Sequence, residues 1–227
     1  MFVSVLPIFG QHDMQIDAAL DVEKNTITIK QRIDYHNVSK DSLSALYFND
    51  CTSSFSSPDT PLSNRFVEEF NNALLNVKPK DRGFTTISAV EDVNKKPLNY
   101  SYLADQPDIF KVELDTLLLP NSSMTIYFDY TLQIQNDKFT CYGVTKNKEY
   151  NLNYWYFTSA VYEDSKWKLY SNKNIDTYYT PPSSVSLNIS VPNSYDTGSG
   201  LNLTSKQTNS KKNTFKFIGE NRTDSRL

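Results

Sequence analysis

Met124, Ile126, Phe128, Tyr130, Leu132 and Ile134 alternate without a break with Thr125, Tyr127, Asp129, Thr131 and Gln133. This period of two suits a β-strand with one face in a core and the other in water, and it does not suit a helix. A slip of one residue would carry every apolar side chain of the run into solvent, so its register is firmly specified. A sheet built from such strands needs a second layer to cover its apolar face. The same alternation places Ile27, Ile29, Ile33 and Tyr35 on one face and Thr28, Lys30, Arg32 and Asp34 on the other. Asn25 supplies a turn before this strand, after a first strand expected over Gln15 to Val22. Weaker strands of the same kind are expected at 43–48, 84–90, 98–103, 109–114, 185–191 and 214–218. Many short strands separated by Asn, Asp, Ser and Pro predict an all-β fold, an antiparallel β-sandwich.

One segment departs from this pattern. Phe66, Phe70 and Leu74 recur at four-residue spacing, and Ser63 can cap a helix running from Asn64 to Leu75. Pro61 precedes it, and Pro79 and Gly83 follow. The expectation is one short helix packed on a sheet.

The chain has 227 residues, 38% hydrophobic and 13% aromatic, enough to bury a core without disulfide or metal staples. Six glycines and ten prolines exclude collagen-like and low-complexity chains. Against 26 acidic residues stand 23 basic ones, so no basic excess points to nucleic acid as a partner. Residues 1–10, Met-Phe-Val-Ser-Val-Leu-Pro-Ile-Phe-Gly, are apolar but too short to span a bilayer. They read as the remnant of a truncated signal peptide, or else as a buried first strand, which Pro7 disfavours. The signal reading implies export.

The two histidines, His12 and His36, lie far apart and lack the H-E-x-x-H context of helical zinc hydrolases. The expectation is structural roles for both, with His12 just beyond a processing site and His36 at a strand end. Cys51 and Cys141 have no C-x-x-C neighbour; they pair in an exported protein or stay as buried thiols. No phosphate-cradling glycine loop and no G-x-S-x-G occurs. The sequence therefore offers no catalytic residue and no metal ligand. Six N-x-[ST] sequons begin at Asn37, Asn99, Asn121, Asn188, Asn202 and Asn221, as chance also produces in an Asn- and Ser-rich chain.

A dense aromatic stretch is more informative: Tyr150, Tyr154, Trp155, Tyr156, Phe157, Tyr162, Trp167 and Tyr170. Such residues stack on sugars or bases or line a peptide groove, or they simply pack the sandwich core and its edge.

Several phrases resemble the N-terminal domain of zinc aminopeptidases of the aminopeptidase N family, most closely the versions of Bacteroidetes-type bacteria. Asp21-Val-Glu-Lys-Asn-Thr-Ile-Thr-Ile-Lys30 followed by Ile33-Asp-Tyr-His-Asn-Val-Ser39 resembles its opening hairpin. Ser42-Leu-Ser-Ala-Leu-Tyr-Phe-Asn-Asp50 resembles the next strand. Thr60 to Phe70 and Asp81 to Ile87 look like an insertion of the bacterial branch. Leu117-Leu-Leu-Pro-Asn-Ser-Ser-Met-Thr-Ile126 resembles an L-x-P-G-x-S turn with Asn121 in place of glycine. Leu152-Asn-Tyr-Trp-Tyr-Phe157, Ala160-Val-Tyr162 and Trp167 resemble the aromatic signature, and Asp176 to Pro192 the strand after it. Thr158-Ser159 stands where the family often has proline after the aromatic pair. The family's zinc helix and its Gly-x-Met-Glu-Asn-type strand belong to a following catalytic domain, and nothing here matches either.

The resemblance implies a saddle-like, non-catalytic β-sandwich over residues 11–227, cut before a C-terminal catalytic domain that holds the zinc. This chain would bind no cofactor itself. It would pack on that domain and wall the cleft of a peptide substrate. Glu149, just before the aromatic signature, is the candidate for the substrate's amine, with Tyr154 and Trp155 as further substrate-binding candidates. The alternative is a stand-alone interaction module that binds a glycan or peptide through an aromatic surface.

Overall fold

The computed structural model describes residues 12–173, 178–223 and 226–227. The expectation for residues 1–10 lies outside them. The long strands are β1 (His12–Asp21), β2 (Thr26–His36), β3 (Leu43–Asn49), β4 (Phe84–Asp92), β5 (Tyr100–Leu103), β6 (Gln106–Leu118) and β7 (Ser123–Gln133). Short ribbons follow: β8 (Gly143–Val144), β9 (Tyr150–Asn151), β10 (Thr158–Ser159), β11 (Val161–Glu163) and β12 (Lys166–Lys168). The chain then adds β13 (Ser183–Pro192), β14 (Asn202–Thr208) and β15 (Lys212–Arg222).

These strands form the expected sandwich. A seven-stranded sheet runs β14-β15-β13-β1-β2-β7-β4, and a four-stranded sheet runs β10-β3-β6-β5. All pairings of the two sheets are antiparallel except one: β1 lies parallel to β13, from His12 opposite Ser183 to Ala19 opposite Ser190. Across that seam the Asn188 amide donates to Asp17 at 2.8 Å, over 171 positions of sequence.

The period-two faces behave as the sequence requires. In the β2–β7 ladder Ile29 lies opposite Tyr130, Gln31 opposite Phe128 and Ile33 opposite Ile126. All six of these side chains are buried. Between the sheets an aromatic hub forms: Phe157 stacks on Tyr130 at 4.0 Å and meets the edges of Phe110 at 4.8 Å and Phe128 at 5.5 Å. Gln31 is the polar member of the inward stripe. Its amide donates to the Phe157 carbonyl at 2.7 Å, and its carbonyl accepts from the Tyr130 hydroxyl at 2.6 Å and the Phe157 N–H at 3.2 Å.

The helix differs from its expected bounds. α1 is Pro61–Glu68, capped by Thr60, whose hydroxyl accepts from the Ser63 N–H at 3.2 Å. Ser63 is therefore inside the helix. Proline suits the first helical position, where its missing N–H and fixed φ cost nothing. The helix stops because Phe70 takes a left-handed φ of 60°, and the Asn71 N–H turns back to the Phe66 carbonyl at 2.8 Å. Phe66 and Leu74 are buried, but Phe70 is 96% exposed, so the expected stripe is broken at its centre. α1 covers a small second core of Phe55, Leu62, Phe66, Leu74 and Phe139 rather than lying on the main one.

The first strand begins at His12, three residues before the expected start. His12 is fully buried, stacks on Tyr35 at 4.2 Å and accepts the His36 N–H on Nδ1 at 3.2 Å. His36 ends β2 as expected, half-exposed beside Asp13 at 3.3 Å. Asn121, which stands where the resembling turn carries glycine, adopts φ 58°, the left-handed region that asparagine tolerates better than most residues. The Asn37 sequon is closed to modification: its amide is buried and donates to the carbonyls of Asp41, Leu118 and Leu119.

Candidate functional site

Two short elements meet at one end of the sandwich. A 3-10 turn, Cys51–Phe55, follows β3, and the segment after β7 returns through Phe139, whose ring lies 6.4 Å from Phe55. Gly143 fixes that return. With φ 134°, it allows a backbone approach in which any Cβ would stand 2.3 Å from the Gln135 carbonyl oxygen. Between these elements and the chain near Tyr154, Asn172, Tyr178 and Arg226 opens a cavity of about 500 Å3. Ligand pockets commonly have this size. Its walls carry the rings of Phe55, Tyr142, Tyr154 and Tyr178 and the amides of Gln135, Asn153 and Asn172. Among the described residues no carboxylate lines it, and Arg226, a charged group of its wall, lies with its guanidinium 5.9 Å from the centre of the Tyr142 ring.

Behind the cavity wall sit two buried carboxylates. Asp50 accepts hydroxyl hydrogen bonds from Ser53 at 2.6 Å, Thr85 at 2.7 Å and Tyr102 at 2.8 Å. Asp108 accepts from the Ser171 hydroxyl at 2.8 Å, the Asn172 N–H at 2.6 Å and the Tyr178 hydroxyl at 2.9 Å. The Asp50 N–H donates to the Asp108 carbonyl at 2.8 Å, which ties the two together. Asp108 thus anchors the Ser171-Asn172 segment and Tyr178, one wall of the cavity.

Desolvation raises both carboxyls above their ordinary value of 3.8, although each accepts hydrogen bonds that pull the other way. Burial likewise raises Tyr102, Tyr178 and the Cys51 thiol, the last also through Asp108 and Asp50, so these stay neutral in the acid range. A carboxyl whose folded value is raised holds its proton more tightly folded than unfolded. Its stabilising contribution is full below the unfolded value near 3.8 and is lost as pH rises through the folded value. The expected result is an unfolding free energy, measured by urea titration, that falls as pH rises from about 4, by at most about 1.4 kcal/mol per pH unit for each group. Asp50→Asn and Asp108→Asn should flatten that slope. Equal slopes in wild type and both variants would refute the assignment.

The sequence-derived candidates separate. Tyr154 lines the cavity, with its ring 5.2 Å from Tyr178 and its hydroxyl accepting the Tyr178 N–H at 3.1 Å. Trp155 does not line the main space; it is 3% exposed and edge-on to Tyr156 at 5.5 Å. Glu149 sits exposed in the β8–β9 turn, its N–H donating to the Thr145 hydroxyl at 3.1 Å, and it does not line the cavity. The rest of the aromatic stretch is largely packing: Tyr156 and Phe157 are buried, and Trp167 lies against Tyr47 at 5.2 Å and Tyr162 at 5.0 Å. Tyr170 alone of that stretch is strongly exposed. Cys51 and Cys141 are free thiols on walls of the same cavity. Cys51 faces the Asn172 amide at 3.4 Å. Held protonated by burial, it is no nucleophile. Sequence reasoning missed Thr140, Asn153, Asn172 and Arg226, which carry no motif.

Among the described residues, no three His, Cys, Asp or Glu side chains come together in a way that could hold a metal ion. No protein-family model matches the chain, and no curated protein matches it. Solved structures do. A variant of a two-domain M1 zinc metallopeptidase superposes with a TM-score of 0.50 over 96% of this chain, at 12% identity. The M1 zinc metallopeptidase from Deinococcus radiodurans, and a variant of it, each match with a TM-score of 0.50 over 95% of this chain, also at 12% identity. The chain spans 41% of the length of each of these proteins. At that identity the likeness is one of fold: this chain has the fold of a part of M1 zinc metallopeptidases.

Proposed function

We propose that this chain is the non-catalytic N-terminal domain of an exported, zinc-dependent aminopeptidase of the aminopeptidase N family, of the bacterial branch that its phrases resemble. The observation that carries the reading is the fold match, which takes in nearly all of this chain but 41% of two-domain zinc metallopeptidases. The ordered phrases from the opening hairpin to the aromatic signature support it independently. In this reading the sandwich packs on a C-terminal catalytic domain and walls one side of a peptide-substrate cleft. In this reading zinc belongs to that partner domain. Glu149 is proposed for the substrate's amine. It stands on an exposed hairpin turn, which the catalytic domain would have to meet for the carboxylate to work in a site shielded from water. The stand-alone module with an exposed aromatic platform is less well supported, because Trp155 is buried and Trp167 is packed among tyrosines.

The test begins with the source DNA beyond the Leu227 codon. The expected result is an open frame encoding H-E-x-x-H with a glutamate farther along the next helix. The full-length product should then release amino-terminal residues from peptides, carry zinc and lose activity to a chelator. The 227-residue chain alone should hydrolyse nothing. A stop codon directly after Leu227 would overturn the reading.

A further inference from the structure

The cavity has an annex. Asn153 and Gln135 line both the main space and a small, partly enclosed void of about 10 Å3, whose other walls are Ile27, Thr52, Leu132, Ile134, Leu152 and Trp155. Two residues that line this void each carry a buried polar atom without a partner within the protein: the Trp155 indole Nε1, a donor only, and the Asn153 carbonyl Oδ1, an acceptor only. Trp155 is 3% exposed, so its N–H cannot reach bulk solvent. An unpaired buried donor is costly, and buried polar groups are normally paired. Thr140 Oγ1, on the main cavity wall, is a third buried polar atom without a partner.

The volume and polarity together select what fits. The void takes one oxygen-sized group. A group that satisfied both would accept from Trp155 and donate to Asn153 through a single atom. A hydroxyl does both. A peptide group does not, because its donor and acceptor are separate atoms and need more room. The main space beyond is walled by four aromatic rings, whose faces suit the C–H face of a sugar ring, and by amide and hydroxyl groups that pair with further hydroxyls. An arginine in the wall, near the Tyr142 ring, and no carboxylate among the described lining residues fit a neutral ligand better than a cation.

We infer that this cavity is a binding site for a neutral polyhydroxylated ligand of the sugar-ring class, with one hydroxyl seated between Trp155 Nε1 and Asn153 Oδ1. The inference holds whether or not the chain belongs to a peptidase. A single bound water has the same hydrogen-bonding chemistry as that hydroxyl, and the test separates the two.

The chain has two tryptophans, so its indole N–H signals form a two-peak readout by NMR. Trp155→Phe assigns the peaks. Glucose, N-acetylglucosamine and cellobiose are titrated separately, with glycerol as a small polyol. The expected result is a saturable shift of the Trp155 signal with at least one sugar, while the Trp167 signal stays still. Asn153→Leu should weaken that binding by roughly tenfold or more, and Trp155→Phe should remove most of it. If Trp155→Phe does not fold, Asn153→Leu carries the comparison alone. A Trp155 signal that contacts bound water and ignores every sugar would overturn the proposal, leaving the annex as a water site only. Sugar binding unchanged in both folded variants would overturn it as well.

Discussion

Replacing Phe157 by alanine is expected to lower stability by about 3–5 kcal/mol, the range for removing a large aromatic from a core. Phe157 is the point where the two sheets meet. It stacks on Tyr130 of β7 and meets the edges of Phe110 of β6 and Phe128 of β7. These neighbours belong to long ladders on both sides, so they cannot collapse inward to fill the space without disturbing β-pairing. The loss should therefore fall at the upper end of the range. Urea unfolding followed by far-UV circular dichroism measures it. A loss under about 1 kcal/mol would mean that the hub repacks, contrary to the geometry.

The second large effect is expected at Gln31. Methionine matches its length without its hydrogen bonds. Gln31→Met removes the partner of the Phe157 carbonyl and of the Tyr130 hydroxyl proton, both of them buried. The Phe157 N–H keeps one acceptor, because it already lies 3.3 Å from the Tyr130 oxygen. Two groups left unsatisfied, at about 1–3 kcal/mol each, predict a loss of about 3 kcal/mol. Adding Tyr130→Phe removes the stranded hydroxyl but takes the last acceptor from the Phe157 N–H, so two groups stay stranded rather than three, and the double variant should be less destabilised than the sum of the singles. Strict additivity in the double-mutant cycle would show that the three groups do not act as a network.

Gln31 also shows how far the sequence could be read. The stripe Ile27, Ile29, Ile33, Tyr35 was legible by its period, and so was the strand ending in Gln133, because one buried face forces alternation. The polar residue inside that stripe was visible too. Its partner lay 126 positions away, however, and no local rule connects them. The helix was misjudged for a related reason. Spacing of Phe66, Phe70 and Leu74 spoke for a long helix, while Thr60-Pro61 marked the true start, and only the chain reversal at Phe70 decides between them. β14 left no signal, since it is an edge strand exposed along its whole length and has no apolar face to alternate. At the site, Tyr154 and Trp155 stood out as aromatics. Tyr154 lines the cavity and Trp155 the annex, and no local pattern says which ring goes to which. The cavity itself gathers Cys51, Thr140, Asn153 and Arg226 from distant parts of the chain, and that kind of proximity is set by topology alone.

The parallel seam between β1 and β13 has a consequence for how the chain is made. On the ribosome β1 can pair with β2 as soon as the opening hairpin emerges. Its other edge stays open until Ser183–Pro192 has been synthesised, and only then can the seven-stranded sheet join. Closing so long a loop before any contact rewards it makes folding slow. Meanwhile the nascent chain carries an unpaired strand edge that other chains could join. The assembly order is therefore fixed from both ends of the sequence, and vectorial synthesis leaves β1 waiting longest for its second neighbour.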